Sequence, residues 1–189
     1  GGVMQHEYLS QKIDRRPLFE MLKQGTTDLH RKMQILSPVL HHHVTLSQYK
    51  DFLLRQLGFY IPIEEQVFEF LSLGRDPFDM ENRKKVPLLI ADLNALGVSF
   101  QEIHDIPICG AIKEIGSMAE LVGVLFVIEE LTLDSQIVYK KLKDQLPLAD
   151  NQLQFYKGYG RDTYEMWYKF RAISEALLSE EDKEEAVTR

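Results

Sequence analysis

The 189-residue chain holds 22 basic and 29 acidic side chains, a formal charge of −7 with no basic stripe, which argues against nucleic acid as a partner. Hydrophobic residues make up 44%, enough for one sizeable core, yet no apolar run reaches the ~20 residues that a membrane span needs. The lone cysteine, Cys109, excludes an internal disulfide. With no signal-peptide pattern at the start, a cytoplasmic protein is expected.

Residues 1–13 read as a polar N-terminal arm and residues 14–189 as one helical domain. Asp14 and Pro17 suit a helix entrance. The spacing of Leu18, Leu22, Leu29, Met33 and Leu36 predicts a first helix over 18–36, ended by Pro38. The connector that follows contains His41, His42 and His43. Adjacent histidines rarely converge on one ion, so an exposed loop is expected there. Thr45 and Gln48 form a capping-box pattern that opens a second helix, reaching Leu71. Its stripe is Tyr49, Phe52, Leu53, Leu57, Tyr60, Glu64, Val67 and Leu71, and Pro62 should bend it. Gly74 to Arg83 reads as a loop, Lys84 to Leu96 as a shorter helix stopped at Gly97, and Ile108 to Ile115 as a short helix after a further loop.

Ser117 to Leu146 is the longest uninterrupted pattern, with Ser117 three residues before Glu120 as a second capping box. Leu121, Val124, Leu125, Ile128, Leu131, Tyr139, Leu142 and Leu146 recur at helical steps and share one face. Gly123, Val127, Glu130, Asp134, Ile137 and Lys141 fall roughly opposite, where they look at water or at a ligand. Pro147 closes this helix. Leu148 to Gly160 is loop-rich, a helix covers Arg161 to Leu178, and Ser179 with Asp182 is placed to cap a last one. Strand-like alternation and internal repeats are both missing, so an all-α domain is expected.

Several residues then line up as a set. They are Leu22, Thr26 and His30 in the first helix, Tyr49, Phe52, Leu53, Tyr60 and Glu64 in the second, and Arg83, Leu88, Asp92, Leu93, Leu96 and Gly97 in the third. Gly123, Phe126, Val127, Ile128, Glu129, Thr132 and Gln136 follow in the long helix, and Phe155, Tyr159, Gly160, Trp167 and Phe170 near the end. In order and spacing this set resembles the heme oxygenase family, most nearly its bacterial branch associated with bilin production for phytochromes. The resemblance implies heme held between two helices, with His30 as proximal iron ligand and the long helix approaching the other face by its backbone. It implies oxidative opening of heme by O2 and electrons from an unnamed donor, giving biliverdin, carbon monoxide and iron. Gln34 stands one turn after His30, where some members carry a glutamate. Tyr159 and Arg161 are candidate partners for the heme propionates, while Phe155, Trp167 and Phe170 read as core.

One departure bears on function. The family's distal helix carries a glycine, three residues, then two glycines, whereas Glu130 precedes Leu131, Thr132, Leu133, Asp134 and Ser135 here. Glycine lets the backbone kink and lie directly against the porphyrin. A carboxylate there must be paired, protonated or solvated, because burying it unpaired costs several kcal/mol. Glu130, Asp134 and Ser135 therefore define the distal-helix face, and three readings follow. Heme binds through His30 and is cleaved; a non-catalytic relative uses the cleft for another ligand or a partner protein; or Glu130 and Asp134 join His30 and Glu64 or Glu65 around non-heme iron or manganese. Against the last, Val138 stands where di-iron relatives of this fold would have a histidine after Asp134.

Overall fold

The computed structural model describes residues 43–110 and 114–188, together with Arg31. The predicted N-terminal arm, most of the first helix with Leu22, Thr26, His30 and Gln34, and His41 and His42 lie outside the described residues. Within them all regular structure is helical, as expected.

The first described long helix, α1 (Leu46–Leu71), begins as its sequence dictates. Thr45 Oγ1 accepts from the Gln48 amide at 3.1 Å and Gln48 Oε1 accepts from the Thr45 amide at 3.0 Å. Pro62 lies inside α1 and has no amide to offer the carbonyl four residues back. That carbonyl, Gly58 O, accepts instead from the Cys109 amide at 3.0 Å. Glycine is needed for the approach, because a Cβ at Gly58 would stand 2.5 Å from Pro107 O. This contact is one physical reason that the described residues of the helix predicted over 108–115 are not helical. Residues 107–110 and 114–116 have no regular structure.

A helix missed by the periodicity, α3 (Phe100–His104), lies just upstream, with Ser99 Oγ accepting from the Glu102 amide at 3.1 Å. Before it, α2 (Val86–Ala95) carries Pro87 in its first turn and runs out at Leu96, followed by Gly97 at φ 81°. The predicted stop at Gly97 is thus a left-handed position that glycine takes without strain.

The long helix, α4 (Met118–Gln145), is capped by Ser117, whose Oγ accepts from the Glu120 amide at 3.1 Å. The reciprocal half of the predicted box is shifted by one residue, since Glu120 Oε2 accepts from Gly116 N at 2.8 Å. After Pro147 the stretch predicted as loop folds into two 3-10 turns, Asp150–Gln152 and Gly160–Asp162, flanking a single turn, α5 (Gln154–Lys157). The last helix, α6 (Thr163–Thr188), runs through Ser179, which caps nothing.

α1 packs on α2, α2 on α5, and α4 on both α5 and α6. Tyr49, Leu53, Leu57, Ile63, Phe78, Leu89, Leu93, Leu121, Leu125, Leu142 and Phe170 are fully buried between them. Phe155, Trp167 and Phe170 belong to this core, with Trp167 5.3 Å from Phe126 ring to ring. α4 departs from its predicted single apolar face. From Leu121 to Glu129 every residue but Val124 is buried, including Gly123 and Val127 on the supposedly open side. Neighbours cover residues 121–129 nearly all round, so between the exposed Glu120 and the half-buried Glu130 no free face opens. None of the described helices is long and apolar enough to cross a membrane.

Candidate functional site

Beyond Glu129, α4 has two sides. One is clamped to the segment that carries α5. Gln136 Nε2 donates to Lys157 O at 3.1 Å and lies 3.3 Å from Thr163 Oγ1. Gly158 has φ 61°, and a Cβ there would come within 3.0 Å of Thr132 Cγ2 and 3.4 Å of Ser135 Oγ. Thr132 and Ser135 are buried on this clamped side, and the Ser135 hydroxyl donates to Thr132 O at 2.6 Å. Ser135, predicted for the distal face, thus turns into the protein.

The other side carries the remaining departures from glycine. Glu130 is half-buried and Asp134 exposed, one turn apart, with Ile137 58% exposed beyond them. Neither carboxylate is free of interactions. This is the part of α4 that stays accessible, and side chains rather than bare backbone form it.

Beneath the helix lies a buried charge network that periodicity alone did not single out. Glu129 is 2% exposed, and Tyr159 Oη donates to both its oxygens, at 2.8 and 3.0 Å. Arg83 Nη1 stands 3.0 Å from Glu129 Oε2, an ion pair rather than an aligned hydrogen bond. The same guanidinium donates through Nε to Phe78 O at 2.8 Å and through Nη2 to Met166 O at 3.1 Å. Lys85 Nζ sits 4.1 Å above the Tyr159 ring centroid, and among the described residues it has no hydrogen-bond acceptor. Glu64 completes the set by accepting from the Lys85 amide at 2.6 Å and the Val86 amide at 3.2 Å, which caps the start of α2.

Burial dominates the electrostatics here. It lowers the Lys85 ammonium pKa, against the opposing pull of Glu129 and Glu64. It raises the Glu64 carboxyl, even though the two amides favour the charged form. The Tyr159 phenol is raised by burial first and by the Glu129 charge second. A basic side chain over a ring and a phenol shared between two carboxylate oxygens hold these buried ionisable groups in place.

The structure separates the residues grouped from sequence. Tyr159 does not offer its hydroxyl at a pocket edge, because the hydroxyl is engaged with Glu129. Arg161 is exposed in the 3-10 turn that precedes α6. Glu64, invoked for a non-heme metal, is occupied by the amides of α2, and Glu65 is exposed. No group of three metal-ligating side chains exists among the described residues. His30 lies outside them. The network could have been suspected from Glu129, Arg83 and Tyr159 as matched positions, but no local spacing connects them.

The sequence pattern of the heme oxygenase family matches residues 16–189, a span that includes His30 and all of α4. No curated protein and no solved structure gives a significant match. The all-α architecture agrees with the family's, and the match covers more than half of the chain. The chain belongs to the heme oxygenase family.

Proposed function

We propose that this protein binds heme with His30 as axial ligand and α4 on the opposite side, and that opening of the ring is suppressed. What carries the reading is the family match across both helices that would enclose the porphyrin. On the proximal side the donor chemistry fits, since a neutral imidazole is an ordinary heme ligand. On the distal side the fit is poor. Glu130 is half-buried on the accessible side of α4, with Asp134 one turn on, so a porphyrin would meet carboxylates where the family offers glycine. We assign no step of the oxidation to these residues. Bound heme would supply the iron at which O2 and electrons react, giving biliverdin, carbon monoxide and iron in the active family. The exposed Arg161 is the remaining candidate for a propionate. A cytoplasmic setting completes the proposal.

A second reading is favoured by the same carboxylates. The cleft has become a binding site for another ligand or a partner protein, and catalysis is gone. Hemin titration of the parent and of His30→Ala, followed by absorbance, separates the two. A saturable Soret shift at one equivalent, weakened at least tenfold by His30→Ala, supports the first. No specific shift in the parent rejects it. In the heme-binding case Glu130→Gly with Asp134→Gly should tighten hemin or permit turnover with ascorbate.

A further inference from the structure

Glu129, Thr132, Ser135 and Gln136 all lie on the clamped side of α4, within an arc of about 120° on a helical projection. Glu130, Asp134, Ile137 and Lys141 fall within about 60° of one another on the opposite arc. The rotation of α4 about its axis therefore decides which set is accessible. Glu129 is the charged member of the clamped set, and two separate parts of the chain hold it. Tyr159 reaches it from the turn before α6, Arg83 binds it while gripping Phe78 O and Met166 O, and Lys85 covers the Tyr159 ring. A rotation of 20° would move a side-chain tip by roughly 2 Å, given the helix radius plus the reach of a glutamate. That displacement is large beside the tolerance of a ligand site.

We propose that Tyr159 and Arg83, with Lys85 over the Tyr159 ring, are positioning residues for the accessible face of α4: by fixing Glu129 they set the azimuth of the helix, and so which side chains, Glu130 and Asp134, that face presents to a ligand. This rests on the heme reading only for the identity of the ligand. The azimuth lock stands on the geometry of the network. Tyr159→Phe is the decisive variant, because it removes one oxygen and keeps the ring beneath Lys85, whereas Arg83→Leu strands a buried carboxylate and risks unfolding.

The experiment has two arms on the full chain. In the first, parent and Tyr159→Phe are titrated with hemin. The variant should remain folded by circular dichroism and bind hemin about tenfold more weakly, with a displaced Soret maximum. The same affinity and the same maximum as the parent would overturn the proposal. In the second arm, which needs no heme, Asp134→Cys and Ser135→Cys are made separately in a Cys109→Ser background and labelled with a maleimide. The exposed position 134 should react much faster than the buried 135, and Tyr159→Phe should reduce that ratio several-fold. An unchanged ratio would overturn the lock. A parent that ignores hemin while its labelling ratio responds to Tyr159→Phe rejects the heme reading and keeps the lock.

Discussion

Two carboxylates lie at the centre of this molecule, and they are satisfied in opposite ways. Asp92 is fully buried on α2 and accepts from the amides of Gln154 and Phe155, each at 2.8 Å, so the backbone of α5 neutralises it. Glu129 on α4 is nearly as buried, but its partners are the side chains of Arg83 and Tyr159. Backbone amides come with the fold, and only a proline substitution removes one. Side-chain partners can be removed one at a time while the chain path stays as it was. Asp92 therefore fastens the fold together, and Glu129 belongs to an adjustable joint.

The sharpest way to break the comparison is Arg83→Leu. It leaves Glu129 buried without its cation and should cost about 3–5 kcal/mol in urea unfolding. A loss below about 1 kcal/mol would mean that Tyr159 alone satisfies Glu129, and that the joint is as robust as the amide hub.

Asp92→Asn comes next, and its signature is in pH. Burial, opposed by the two amides, raises the Asp92 carboxyl to about 6 from its ordinary 3.8. The folded state therefore holds the proton more tightly than the unfolded chain does. Stability from this group is fully present below the unfolded value and is lost as pH rises through the folded one. Between pH 7 and 4 the parent should gain on the order of 2–3 kcal/mol relative to Asp92→Asn, read from thermal melts across that range. A difference that does not vary with pH would show the carboxylate to be ionised in the fold throughout.

The smallest effect belongs to Lys85→Met. The amine has no acceptor among the described residues, and methionine matches its length, so stability at neutral pH should change by less than about 1 kcal/mol. Its pH slope is opposite to that of Asp92. Burial holds the folded pKa below the ordinary lysine value. The unfolded chain then binds more protons in that window, and the parent should gain on the variant as pH rises toward the ordinary value. A gain in the other direction would mean that the charges of Glu129 and Glu64 outweigh burial at this lysine.

What the sequence shows of this fold is what is local in it. The Thr45–Gln48 box, the Ser117 cap and the left-handed Gly97 were all legible, because each depends on neighbours within a few residues. The same logic would have found α3, since Ser99 and Glu102 repeat the spacing of Ser117 and Glu120. The failures lie where distant segments decide. Gly123 and Val127 read from sequence as facing water or a ligand, but packing around residues 121–129 of α4 buries them. Ser179 has the chemistry of a cap, yet α6 continues through it. The family could be read from ordered matches along the chain. The joint around Glu129 could not, because Arg83 reaches it from the end of a 3-10 turn (Met80–Arg83) and Tyr159 from the start of another, on either side in sequence, and no periodicity encodes such a meeting.

Pro62 shows what a missing hydrogen bond can be used for. By withholding one amide it leaves a vacant acceptor in the middle of α1, at a residue whose lack of a side chain keeps it accessible. The main chain of Cys109 occupies that acceptor. A chain with a single cysteine cannot form a covalent staple within itself. Here the backbone of that cysteine does the stapling, and its sulfur is not required. The pair Gly58 and Pro62 acts as a noncovalent cross-link, so exchanging Cys109 for serine, as the labelling experiment requires, leaves the tie intact.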